Sequence, residues 1–165
     1  MFFQLVSTIC GALSELCTIR SCPAATGPGK RVYFWTDGCG RRLNCSAPLY
    51  IDYATSYIQE LLTDELVFPT MAGSPFPSGF VFLVQKIFLL LFRMLAHLYS
   101  AHQTHLVSMQ MQPHFNTLFT HFIIFSHSFS LLELQETTEL QDIMALTQIH
   151  TYNSHPPCKH NEPAD

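Results

Sequence analysis

Charge is what this chain has least of. Asp, Glu, Lys and Arg make up 12% of its 165 residues, about half the share of an ordinary soluble domain. The shortage is concentrated, because between Glu65 and Glu133 the only formal charges are Lys86 and Arg93. Eight Lys and Arg against twelve Asp and Glu leave a net charge of −4, which argues against the basic footprint of a nucleic-acid binder. Long unbroken apolar runs are missing too. The most apolar window, Phe80 to Tyr99, contains Gln85, Lys86, Arg93 and His97, and its longest clean stretch runs only from Ile87 to Phe92. A bilayer requires about 20 apolar residues, and a cation at mid-membrane costs on the order of 3 kcal/mol. A core helix is the better reading of that window. Catalytic signatures are equally absent: there is no Gly-x-Ser-x-Gly elbow, phosphate loop, dinucleotide glycine fingerprint or His-Glu-x-x-His. Nor does the charge-poor middle supply an acid to orient a catalytic histidine, so no enzyme is expected.

What the chain does have is apolar mass, with 48% hydrophobic residues and 14 phenylalanines. That excludes disorder for its body and suffices for the core of one domain. Met1 to Leu13 carries no charge, and no Lys or Arg precedes it as a signal peptide would require. Phe2, Phe3, Val6, Ile9, Cys10, Leu13 and Leu16 recur at three- and four-residue steps, the pattern of a helix. Cys17 to Gly29 reads as a loop, and Arg31–Trp35 with Arg41–Asn44 as a β-hairpin about Asp37-Gly38-Cys39-Gly40. Ser46 and Pro48 open a second helix with Tyr50, Ile51, Ala54, Tyr57, Ile58, Leu61 and Leu62 on one stripe, ending near Thr63. The prolines at 69, 75 and 77 make Val67–Ser78 a loop or extended segment. A long helix follows from about Gly79 to about Tyr99. Pro113 opens another, with Leu118, Phe119, Phe122, Ile123 and Phe129 on its buried side. A last helix covers roughly Glu136 to Leu146. The expected fold is an all-α helical bundle with a small β-hairpin, spanning residues 1–150, followed by a disordered polar tail over 151–165.

Two spacings carry chemistry. Four residues separate Cys17 from Cys22 in the first loop, and four separate His97 from His102 at the end of the long helix. Together they form a Cys2His2 set, the donor combination of a closed structural zinc site with no open position for catalysis. Residues five apart on an ideal helix point about 140° apart, so both imidazoles reach one ion only if the helix ends or bends between them. The alternative is two buried thiols and two ordinary histidines, and six cysteines would equally permit disulfides in a secreted chain. Spacing alone leaves these readings open.

A series of short segments, in order, resembles the Mob/phocein family of kinase activators. They include Glu15-Leu16-Cys17, Ser21-Cys22-Pro23, Cys45-Ser46-Ala47-Pro48-Leu49-Tyr50, Val67-Phe68-Pro69-Thr70 and Pro75-Phe76-Pro77. The series continues through Leu91-Phe92-Arg93, Ala96-His97-Leu98-Tyr99, His114-Phe115-Asn116-Thr117 and His121-Phe122. The details look closest to the branch that pairs with NDR-type kinases. The resemblance implies one structural zinc ion on Cys17, Cys22, His97 and His102. It also implies a zinc-stabilised helical fold, no enzymatic activity, and a cytoplasmic or nuclear rather than secreted location. Its implied role is an adaptor that binds the N-terminal regulatory region of NDR/LATS-type AGC Ser/Thr kinases.

Two departures qualify that role. Relatives carry a preceding segment with a Leu-Asn-Glu-Trp helix that helps form the kinase-binding face, and this sequence starts at Met1-Phe2-Phe3 without it. The family's basic pair just before Leu91-Phe92-Arg93 is replaced by Leu89 and Leu90. At ~100° per residue, Leu83, Val84, Ile87, Leu91, Met94, Leu95 and Leu98 form the core arc, whereas Leu89 and Leu90 point away from it beside Arg93. Arg93 is thus the residual phosphate-binding residue, and weak or absent phosphopeptide docking is expected. The alternative function is a shortened, diverged Mob-like remnant that neither activates a kinase nor docks phosphopeptides.

Overall fold

The computed structural model describes residues 1–138, 140 and 145. The tail over 151–165 and most of the expected last helix beyond 138 lie outside these residues. Within them the order is α1 (Phe2–Ala12), a 3₁₀ turn (Pro28–Lys30), β1 (Trp35–Thr36), β2 (Arg42–Leu43), α2 (Ala47–Thr63), α3 (Phe80–Ser108) and α4 (Gln112–Ser128). Residues 134–138 are also helical. The architecture is the helical bundle with a two-stranded hairpin that the sequence predicts.

The helix α3 is the axis of the fold, with α1, α2 and α4 packed on it. From Ile87 to Tyr99 it is buried nearly all round, as a helix enclosed by others must be. An 11-residue helix such as α1 has little stability alone, and here no side chain caps it. Packing holds it instead. Val6, Ile9 and Leu13 are buried, and Phe2 sets its ring edge-on against Phe88, Phe122 and Phe125 at 6.0, 5.5 and 5.5 Å. Ser46 precedes α2, Pro48 sits in its first turn, and Tyr50, Ala54 and Ile58 face inward. By length and composition α3 also passes as a membrane span, but more than half of its most apolar window is buried by other elements.

Four expectations are corrected. The hairpin pairs only Trp35 with Leu43 and Thr36 with Arg42. Residues 31–33 turn back on the preceding loop instead, with Tyr33 N–H donating to Ala25 C=O at 2.8 Å and Gly27 N–H to Arg31 C=O at 2.8 Å. The long helix does not stop at Tyr99 but continues to Ser108 through a non-helical residue, His102. Phe129 is exposed beyond the end of α4, where its ring leans on Phe125 at 4.7 Å. Finally, Leu90 is buried and Leu89 is partly buried against the core. Trp35, Tyr50, Leu131 and Leu132, distant in sequence, gather on that back arc of α3.

Candidate metal centre

The first loop is a rigid frame for two thiols. Past α1 the chain tightens, and Cys17 N–H donates to Leu13 C=O at 2.8 Å. Thr18 and Ser21 then bond reciprocally. Ser21 Oγ accepts from Thr18 N–H at 2.9 Å and Thr18 Oγ1 accepts from Ser21 N–H at 3.2 Å. Ser21 Oγ also donates to Leu16 C=O at 2.6 Å, and Cys22 N–H closes on Thr18 C=O at 2.8 Å. The loop is anchored to α2 as well, because Ala47 N–H donates to Cys22 C=O at 3.0 Å. Both sulfurs are held toward α3.

The histidines come from the two sides of the break in α3. His102 itself has φ −125° and ψ 20°, and this single unwound residue supplies the bend that the spacing demanded. The rings stand 5.6 Å apart at 78°. His97 Nε2 lies 3.5 Å from Cys17 Sγ, and His102 Nε2 lies 3.4 Å from Cys22 Sγ. All four donor atoms fall within 4.8 Å of one another, and all four residues are buried.

These separations can be tested against a metal. Tetrahedral zinc, with Zn–S about 2.3 Å and Zn–N about 2.0–2.1 Å, sets a sulfur and a nitrogen about 3.5–3.6 Å apart. The two Cys–His distances match that figure within 0.2 Å. The spare ring nitrogens are engaged. His97 Nδ1–H donates to Thr26 C=O at 2.9 Å, and His102 Nδ1 meets His105 Nδ1 at 3.2 Å. With Nδ1–H as the donor in each ring, Nε2 is a lone pair facing the cluster, as a ligating imidazole requires. Burial pushes the His97 pKa down despite the Thr26 bond. Burial, then the neighbouring His97 and His105, push His102 down to about 4. Both rings are therefore neutral at pH 7 and available to a cation. Burial, and then Cys22 beside it, push Cys17 up to about 12. That is opposite to an activated nucleophile, and it means that a Cys17 thiolate here requires a metal beside it. Without a metal the same contacts are S–H···N hydrogen bonds.

Spacing pointed to all four candidate ligands. It did not point to Thr26, His105 or the Thr18–Ser21 pair, whose roles depend on backbone and side-chain bonds with no signature in sequence. The fifth candidate, Arg93, stands apart from the cluster. Its guanidinium lies over the Tyr33 ring at 5.3 Å, and its Nε is buried without a hydrogen-bond partner. Nor is Arg93 the isolated cation the sequence suggested. Arg31 and Arg42 line a polar cavity of about 550 Å³ with it, facing Glu136. Arg31 pairs with Glu136 at 3.4 Å, and Arg42 lies over the Phe34 ring at 4.4 Å.

Comparison with known proteins shows the family. The profile of the Mob1/phocein family matches residues 1–140. The chain belongs to that family. MOB kinase activator-like 1A of Arabidopsis thaliana is 40% identical over 145 residues, covering 87% of this chain and 67% of the relative. MOB kinase activator 2 of Homo sapiens is 40% identical over 142 residues, covering 86% of this chain and 60% of the relative. This Mob-family chain thus spans about two thirds of the length of the relatives it matches. Relatives numbered 1 and 2 stand at the same identity, so identity alone does not separate the branches.

Proposed function

We propose that this Mob-family chain is a non-enzymatic, zinc-binding adaptor that regulates NDR/LATS-type AGC Ser/Thr kinases through their N-terminal regulatory region. The supporting observation is a buried Cys2His2 set in a chain whose relatives are named kinase activators. Four protein donors close a tetrahedral site, so a zinc ion there has a structural role rather than a catalytic one. Cys17 and Cys22 would hold it from the loop, and His97 and His102 from both arms of α3. Such an ion pins the N-terminal third of the chain to its central helix. The five described cysteines are free thiols, which fits a reducing compartment. We place the protein in the cytoplasm and nucleus, with residues 1–150 as the folded unit.

A second reading is a Mob-like chain that folds and holds zinc but no longer engages a kinase. Leu89 and Leu90 favour it, since they remove cations from the face around Arg93. One experiment separates the two readings: co-precipitation of the full chain with the N-terminal regulatory segments of NDR and LATS kinases, with metal analysis of the same sample. The adaptor reading expects one zinc per chain together with capture of a kinase segment. Zinc without capture supports the second reading, and capture without zinc overturns the metal assignment.

A further inference from the structure

A cavity of about 710 Å³ lies behind α3, lined by none of the four candidate metal ligands. That size is typical of a ligand site. Its walls are mainly apolar, with Trp35, Leu89, Leu90 and Leu131 among them, and Tyr50 and Arg93 belong to the same wall. Tyr50 is only 2% exposed. Its hydroxyl is shielded from water against the Arg93 guanidinium, and the Arg93 Nε is shielded without an acceptor. A buried donor left unpaired is costly, and a guanidinium in this cavity wall calls for an anionic acceptor. The guanidinium beside the hydroxyl already opposes the rise that burial imposes on the Tyr50 pKa.

We propose that this cavity binds an amphipathic monocarboxylate, its carboxylate set against Arg93 and Tyr50 and its apolar body against Trp35, Leu89, Leu90 and Leu131. Charge selects a monoanion over a phosphate. Glu133 and Glu136 also line the cavity, and they oppose a dianion. Lys86, the other cation there, is drawn over the Tyr57 ring at 4.6 Å. On the polar side of Arg93, Arg31 is paired with Glu136. Shape and chemistry agree, since leucines where cations would hold a phosphate give an alkyl or aryl body a dry surface. This site does not depend on the metal or on kinase binding.

The test is a calorimetric titration of the full chain with three probes of equal chain length, each below its micelle threshold: decanoate, decanol and decyl phosphate. Decanoate should bind saturably at one site and at least about tenfold more tightly than decanol, the usual worth of a charge-assisted hydrogen bond. Decyl phosphate should bind more weakly than decanoate. Arg93→Gln should bring decanoate down to the decanol level, Tyr50→Phe should weaken it severalfold, and Leu89→Lys with Leu90→Arg should reverse the preference toward decyl phosphate. Equal binding of decanoate and decanol, tighter binding of decyl phosphate to the unaltered chain, or no saturable binding would each overturn the proposal. The comparison among probes uses the unaltered protein, so a variant that misfolds does not obscure the outcome.

Discussion

A histidine ring that ligates a metal through one nitrogen has to dispose of the other. His97 does so on the Thr26 carbonyl at 2.9 Å, and His102 on His105 at 3.2 Å. The second partner is a side chain and can be removed. His105→Phe should lower zinc affinity about 10–100-fold while leaving one zinc per chain at saturation, measured by competition with a chromogenic chelator. Unchanged affinity would show that His105 does not orient His102. A second consequence concerns the metal-free chain. His102 is held down at about 4 from its ordinary 6.5, so between these values the unfolded chain takes up a proton that the folded site refuses. Stability is then undiminished above pH 6.5 and falls as pH drops from 6.5 toward 4. Urea midpoints of the chelator-treated protein should follow that course, and His102→Phe should reduce the slope, leaving the part that His97 contributes in the same direction. A midpoint independent of pH in that window would refute it. The four candidate ligands were readable because metal coordination imposes spacing. Thr26 and His105 were not, because nothing in sequence says which carbonyl or ring will lie beside a given nitrogen.

Among the elements, the first loop and the α1–α3–α4 junction carry the structural load around the centre. Ser21→Ala deletes an acceptor for Thr18 N–H and a donor to Leu16 C=O. It should cost about 1–2 kcal/mol in a denaturant titration of the zinc-free protein, with a further loss of zinc affinity as Cys17 and Cys22 lose their fixed separation. Equal stability with and without the hydroxyl would show that the loop is held by the anchor at Ala47 alone. At the junction, Phe122 is fully buried, stacks on Phe88 at 5.2 Å and receives the edge of Phe2. Phe122→Ala should cost about 3–5 kcal/mol, read from the urea midpoint. Periodicity located α1 to α4, since each has a face to bury. It misplaced the end of α3 because the stretch after Tyr99 is polar and reads as a loop. It also missed the hairpin's short register, because residues 31–33 find better partners in residues 25–27 than across the turn. The unwound residue at His102 is the local feature that converts an unfavourable spacing into a usable one.

Across the whole molecule, the central part of the charge-poor stretch between Glu65 and Glu133 is explained by the enclosure of α3 from Ile87 to Tyr99. The sequence showed the forward arc of that helix as core and left the back arc, with Leu89 and Leu90, facing outward. Residues 35, 50, 131 and 132 line the cavity over that arc together with Leu89 and Leu90, and proximity across such distances leaves no periodic trace in α3 itself. The same topology determines what a metal would contribute. Loop and helix meet 80 residues apart in sequence at both Cys–His pairs, so a zinc ion closes a long loop whose ends are costly to hold together. An ion present at a thousand times its dissociation constant adds about 4 kcal/mol, and each kcal/mol shifts the melting temperature of a chain this size by about 2–4 °C. Chelation should therefore lower the melting temperature by about 8–16 °C and raise amide exchange across residues 13–26, which the cluster ties to α3, more than across α2. A shift below about 2 °C, with exchange unchanged in that loop, would mean that the cluster is a set of S–H···N hydrogen bonds and that apolar packing on α3 alone holds the first loop in place.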